Sequence, residues 1–254
     1  MAKYRFACNR RIINIKEKMS ITKEQKYVVD CVLSIFETGK IPSKESYQTC
    51  TILSDGAGIS YGKHQATDRA GSLDKIAQLY VDKKGPLSLE LLPYMQRLAQ
   101  NETASVDPKK PPVWAQKLID ILKRAGADSV MQECQDEVFD AGYWIPALGH
   151  VQNIGLKTAL GALVVYDTCI HSGPGGVANI RALFPEAAPA KGGDEKAWVL
   201  AYIEARKDWL LRNKNPLVQK TIYRMEALKA IADSGNWDLT TPLKVRGTTI
   251  PKPS

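Results

Sequence analysis

Apolar residues recur every three to four positions along most of this 254-residue chain, the period of helices packed on one face. Val28, Val29, Val32, Ile35 and Phe36 show it first. Thr22 and Gln25 stand before them at capping-box spacing, so a helix of about 16 residues is expected, closed by Gly39 and Pro42. Glu37 then falls in its last turn, where a carboxylate opposes the negative end of the helix dipole. One stretch breaks the period. Tyr47-Gln-Thr-Cys-Thr-Ile-Leu is rich in β-branched and aromatic residues and reads as a strand. Ser54-Asp55-Gly56-Ala57-Gly58 is a turn signal, and Ile59 to Gln65 reads as a second short strand. From Ser72 onward, helices are expected over about 72–83, 88–102, 113–124, 128–142, 151–171, 194–212 and 216–234. Pro108, Pro111 and Pro112 mark a loop, Gly173-Pro-Gly-Gly breaks the chain again, and Pro242 to Ser254 reads as an extended surface segment. The expected class is mainly α (α+β), with one small antiparallel β-sheet that carries Asp55.

Hydrophobic residues make up 44% of the chain and charged residues 24%, which allows a sizeable core and argues against disorder. No apolar run approaches the roughly 18 residues of a membrane helix, so membrane insertion is not expected. Residues 1–20 read as a basic extension without the apolar stretch of a secretory signal. The expectation is a chain made in the cytoplasm, acting on an extracellular or cell-wall polymer after lysis or non-classical export, or a mature secreted form. Thirty-five Lys and Arg against 27 Asp and Glu give a net charge of +8, which favours anionic partners. The basic residues have no interleaved aromatics to stack bases, so nucleic acid is not an expected partner.

Several site types lack their signatures. Cys8, Cys31, Cys50, Cys134 and Cys169 are scattered and odd in number, so buried or reduced thiols are expected in place of disulfides or zinc. His64, His150 and His171 have no ligand-like spacing, and no metal or other cofactor is expected. There is no phosphate-cradling glycine loop, no HExxH and no GxSxG. Cys50 and His64 could form a nucleophilic pair, though nothing in the sequence orients them. What remains is two acids, Glu37 and Asp55, flanking a glycine-rich hairpin. Glycoside cleavage needs one protonated carboxyl for the leaving oxygen and one ionised carboxylate to activate water or attack the sugar. Two ordinary surface carboxylates would leave the same trace.

Longer motifs narrow the choice. Ser34-Ile-Phe-Glu-Thr is followed, with 18 residues from Glu37 to Asp55, by Ser54-Asp-Gly-Ala-Gly-Ile-Ser-Tyr-Gly. Then come Ala159-Leu-Gly-Ala-Leu-Val-Val-Tyr-Asp, His171-Ser-Gly-Pro-Gly, Lys191-Gly-Gly-Asp-Glu, Ile203-Glu-Ala-Arg-Lys and Ser234-Gly-Asn-Trp-Asp-Leu-Thr-Thr-Pro-Leu-Lys. In content and order these resemble the glycoside hydrolase family 46 chitosanases, which share a core with lysozymes. The resemblance covers residues 26–245 or so. It implies a lysozyme-like two-lobed helical fold, with residues 21–245 as a catalytic domain whose lobes flank a substrate cleft and 246–254 as a tail. It implies an inverting endo-hydrolase of β-1,4 bonds in an amino-sugar polysaccharide, chitosan, working as a monomer without a cofactor. Glu37 would be the general acid, Asp55 the general base, and Ser60 a residue that helps hold the water. Asp167, Arg206 and Arg224 match a buried Arg–Asp–Arg network behind the site; as charges on otherwise apolar helices they need pairing in any case. Tyr61, His64 and Gln65 could contact sugars or could pack the hairpin, and Asp194 is a further candidate substrate contact.

Two departures bear on the substrate. Ala57 stands where the family has an arginine. Ser72 stands where the family has an aspartate that grips a glucosamine ammonium; Asp68 or Asp74 could substitute from other positions. Together with the basic charge, this keeps a second reading open: a lysozyme-like peptidoglycan hydrolase such as a phage lysin or antibacterial effector. A third is a non-catalytic wall-binding module, against which the retention of both carboxylates argues.

Overall fold

The structure is a computed structural model that describes residues 21–253; the basic extension read over residues 1–20 lies outside the described residues. The chain divides into two compact units. One runs to Ile41 and resumes at Tyr143, and the other spans Pro42–Gly142.

The first helix, α1 (Lys23–Thr38), matches its expectation. Thr22 Oγ1 accepts from Gln25 N–H at 3.1 Å, and Gln25 Oε1 accepts from Thr22 N–H at 2.9 Å. This reciprocal pair satisfies two N–H groups that a helix start otherwise leaves open. Gly39, at φ 77°, donates its N–H to Ile35 O at 2.9 Å and ends the helix in the left-handed conformation that glycine favours. Val28, Val29, Val32, Ile35 and Phe36 are all buried, as their spacing required.

The second unit opens with a correction. Lys44–Gln48 is a 3-10 turn, so the strand read from Tyr47 begins only at β1 (Cys50–Leu53). β2 (Gly58–Tyr61) and a third strand not foreseen, β3 (Ala66–Thr67), complete an antiparallel sheet in the order β1-β2-β3. Thr51 faces Ser60, and Ser60 in turn faces Thr67. Gly58 is obligatory: a Cβ there would lie 2.5 Å from Thr103 Oγ1 and 2.8 Å from Ala104 N. α2 (Ser72–Asp82) follows. The expected helix over 88–102 is broken into α3 (Ser88–Leu91), a 3-10 turn and α4 (Met95–Ala99), with Pro93 in the turn where it cannot donate to a helical ladder. α5 (Val113–Ala125) starts after Pro112, and Asp128 caps α6 (Ser129–Phe139). Ile59, Tyr61, Ile76, Tyr80, Leu118 and Leu122 lie at the core of this unit.

A π-helical turn, Asp140–Trp144, leads into α7 (Ile145–Ile154). The single helix expected over 151–171 does not form. Gly155, at φ 85°, ends α7, and a Cβ there would stand 2.6 Å from Ala190 N. α8 (Ala159–Ser172) restarts behind Thr158, whose hydroxyl accepts from Gly161 N–H. Every residue of α8 from Ala159 to Cys169 is buried, so this is a central helix without a wet face. α9 (Gly176–Arg181) begins at the last glycine of the expected Gly173-Pro-Gly-Gly break. α10 (Glu195–Leu211) lies close to its expected range, whereas residues 216–234 divide into α11 (Pro216–Gln219), a 3-10 turn and α12 (Tyr223–Asp233). The segment from Pro242 is not an extended surface stretch. β4 (Leu243–Val245) and β5 (Thr248–Ile250) form a hairpin that buries Leu243, Val245 and Ile250. No helix among the described residues is long and apolar enough to cross a membrane.

Candidate active site

The last turn of α1 brings Glu37 to the surface with its side chain half exposed. Its Oε1 accepts from Arg224 Nη2. Arg224 Nη1 donates to Asp167 Oδ1 at 2.6 Å, and Arg206 Nη1 donates to Asp167 Oδ2 at 2.5 Å. Helices α8, α10 and α12 thus supply the chain Arg206–Asp167–Arg224, and α1 supplies its outer end. Asp167 and Arg206 are 0% exposed and Arg224 2%, so only Glu37 reaches solvent. Asp167 stands between the two guanidiniums, so each buried ion faces an opposite charge, which is what makes three buried ions tolerable. Burial alone would raise the Asp167 carboxyl, but the guanidiniums of Arg206 and Arg224 outweigh it and hold it below the usual carboxylate range. Burial works against the charge of Arg224 too, and Asp167 and Glu37 more than compensate. At the end of α8, burial, Arg224 and Arg206 push His171 below its ordinary value against the pull of Asp167 and Glu37, which favours neutral imidazole.

Asp55 lies in the other unit, exposed in the turn between β1 and β2. Its Oδ1 accepts from Ala57 N–H at 2.9 Å, a local turn that short acidic side chains form with the backbone two residues on. Behind it every residue of β2 is buried, including Ser60 at 6% exposure. Thr103 Oγ1 accepts from Ile59 N–H at 3.0 Å and donates to Asp68 Oδ2 at 2.6 Å, while Thr103 N–H donates to the same oxygen. The base candidate therefore stands on a stiff, packed hairpin.

Each acid is held within its own unit, Glu37 half exposed over buried ion pairs and Asp55 exposed on a braced turn. The family model of glycosyl hydrolase family 46 matches residues 31–243. This chain belongs to glycosyl hydrolase family 46. A chitosanase of Bacillus subtilis (strain 168) is 30% identical to it over 238 residues, 89% of this chain and 83% of that protein. A mutant chitosanase from Bacillus subtilis MY002, complexed with 6 GlcN, superposes with a TM-score of 0.66 at 28% identity, covering 89% of this chain and 96% of that one. A Gynuella sunshinyii chitosanase of the family, in complex with chitotetraose, superposes with a TM-score of 0.70 at 25% identity, covering 92% and 100%. The chain shares their fold, mainly helical with a small antiparallel sheet, and is a glycoside hydrolase.

Within this family 46 hydrolase, the candidate sugar contacts Tyr61, His64, Gln65 and Asp194 each take part in local structure. Tyr61 is 1% exposed, and its hydroxyl donates to Leu122 O at 2.8 Å, so it packs the sheet onto α5 and cannot stack on a sugar. His64 stacks on Phe139 with centroids 3.7 Å apart, and its Nε2 lies 3.0 Å from Asp136 Oδ1. Lys63 and Tyr47 reach the same Asp136, so His64 is part of a network that fastens the hairpin to α6. Gln65 is exposed at φ 51° and closes the β2–β3 turn through its N–H to Gly62 O. Asp194 accepts from Ala197 N–H at 2.8 Å and caps α10. Asp68 is fully buried, and burial pushes its carboxyl up, so it does not stand in for an ammonium-gripping aspartate. Ser72 accepts from Thr67 N–H and donates to Thr67 O. The described cysteines, Cys31, Cys50, Cys134 and Cys169, are all buried. Burial pushes the Cys50 thiol up to about 12, which rules it out as a neutral-pH nucleophile. The resemblance placed Arg224 in a network behind the site, and the structure adds its direct grip on Glu37.

Proposed function

We propose that this hydrolase is an inverting endo-chitosanase in which Glu37 protonates the leaving glycosidic oxygen and Asp55 activates the attacking water. The observation that carries the reading is the chain Arg206–Asp167–Arg224–Glu37. It holds one oxygen of a half-exposed carboxyl on fully buried support and leaves Oε2 to carry the proton. A proton donor aimed at one atom of a polymer requires such fixed placement, whereas a solubilising surface acid does not. Asp55, exposed on its turn, would draw a proton from water, and Ser60 would help hold that water. Inversion calls for carboxyl groups about 6.5–9.5 Å apart, with room for the water between acid and base. The relatives complexed with 6 GlcN and chitotetraose favour chitosan as the polymer.

A peptidoglycan strand is the second reading, and one observation favours it. Ser72 is bonded to the backbone of Thr67 and Asp68 is buried, so neither offers a carboxylate to an ammonium. Peptidoglycan sugars are N-acetylated and lie in an anionic wall, which suits a chain of net charge +8. Either polymer lies outside the cytoplasm, so the enzyme would reach it after lysis or export. Chitosan and purified peptidoglycan offered side by side decide the substrate by which one yields fragments. Glu37→Gln, measured in parallel, should lose roughly 10²–10⁴-fold in turnover while keeping its circular dichroism. Full activity in that variant would remove Glu37 from the chemistry, and binding without fragments by the parent would return the wall-binding module.

A further inference from the structure

Carbonyls in the last turn of a helix have no partner within the helix. At the end of α1, Ile35 O is met by Gly39 N–H and Phe36 O by a residue of another helix, and hydroxyls reach two neighbouring carbonyls. Ser34 O accepts from Thr38 Oγ1 at 2.8 Å. Phe36 O accepts from the Tyr223 hydroxyl at 2.7 Å, and Gly39 O accepts from Thr248 Oγ1 at 3.3 Å. The Tyr223 ring also meets the Phe36 ring edge-on, with centroids 6.2 Å apart. Two adjacent residues of α12 therefore grip two adjacent residues of α1: Tyr223 holds the Phe36 carbonyl and Arg224 holds the Glu37 carboxylate.

Tyr223 is itself covered. The guanidinium carbon of Arg246 lies 3.7 Å from the centroid of its ring. Arg246 and Gly247 form the two-residue turn between β4 and β5, and both have positive φ, 48° and 85°. That conformation belongs to tight hairpins whose usual occupants are Asn, Asp and Gly. A long side chain is disfavoured there. Its stacking on Tyr223 accounts for an arginine at this position. Leu243, Val245 and Ile250 anchor the hairpin in the core, and its turn lies beyond the span matched by the family model.

We infer that the β4–β5 hairpin is a positioning brace for Glu37. Arg246 fixes the Tyr223 ring, Tyr223 fixes the Phe36 peptide, and the Glu37 carboxyl is thereby presented to the scissile bond in one orientation. The inference rests on the acid role of Glu37 proposed above. Arg246, Tyr223 and Thr248 act through α1, so their loss should appear in kcat with KM unchanged.

Arg246→Gly separates positioning from stability, because glycine relieves the backbone while deleting the guanidinium. On whichever polymer the parent cleaves, kcat should fall about three- to tenfold at constant KM, with the melting temperature unchanged or raised. Arg246→Lys keeps a cation over the ring and should recover part of kcat. Tyr223→Phe keeps the ring, loses the bond to Phe36, and should lower kcat further than Arg246→Gly. Arg246→Asn tolerates the same turn and replaces the glycine variant if that one loosens the hairpin. The brace is overturned if both turn variants keep the parent kcat, if KM alone rises, or if kcat falls only in step with the melting temperature. Glu37→Gln run alongside keeps the two ideas apart. An active Glu37→Gln enzyme defeats the acid role, whereas an inactive one beside fully active turn variants defeats the brace alone.

Discussion

The two carboxylates proposed for catalysis are held in opposite ways. Glu37 is fixed through charge by partners far away in sequence: Arg224 is 187 residues on, and behind it stand Asp167 and Arg206. Asp55 is fixed locally, by a bond to the backbone of Ala57 and by the packed strand that follows. An acid that delivers a proton needs its orientation set from outside its own helix, because the end of a helix frays. A base on a tight turn receives its orientation from the turn. The first arrangement places fold stability and chemistry on the same residues, and the second keeps them apart.

Arg206→Ala should break that contrast most visibly. It leaves Asp167 buried with one cation in place of two and should lower stability by about 3–5 kcal/mol, read as a fall in melting temperature. An unchanged melting curve would remove the network from the account. Asp55→Asn keeps an oxygen for Ala57 N–H and should shift stability by no more than about 0.5 kcal/mol while abolishing turnover. Loss of fold there would show that the base also carries structure.

Acid titration should separate the two units by sign. Asp167 has a folded pKa below its unfolded value, so the stability it contributes is present above the unfolded value and disappears as pH falls through the folded one. Asp68 has a raised folded pKa, so its contribution is present below the unfolded value and is lost as pH rises through the folded one. Comparing Asp167→Asn and Asp68→Asn with the parent across pH 2–8 should give stability differences that grow in opposite directions. Equal slopes would contradict the charge pattern.

Two smaller effects test the reassigned residues. Tyr61→Phe should cost about 1 kcal/mol for the lost bond to Leu122, with KM unchanged. Asp194→Ala should cost about 0.5–2 kcal/mol as a lost helix cap, again with KM unchanged. A raised KM in either would restore it as a substrate contact.

Most local features of this fold were legible from sequence, and long-range ones were not. The start and end of α1 rest on Thr22, Gln25 and Gly39, all within one turn of the positions they cap, and the structure reproduces them. The break between α7 and α8 is made by left-handed Gly155 and the Thr158 cap, local signals that the continuous apolar period over 151–171 masked. The β4–β5 hairpin was missed because Arg246-Gly247 is not a usual turn pair. Of the two roles open to Tyr61 in the sequence, packing the hairpin is the one the structure shows, because β2 has no wet face. The trio Asp167, Arg206 and Arg224 was legible through the family resemblance, but its attachment to Glu37 exists only in three dimensions.

An acid and a base acting through one water invert the anomeric carbon, and the anomeric form of the fresh product reports on that directly. Proton NMR of chitosan during the first minutes of cleavage, before mutarotation, should show the α-anomer appearing from the β-linked polymer. A first product in the β form would mean a covalent intermediate and would contradict the role given to Asp55.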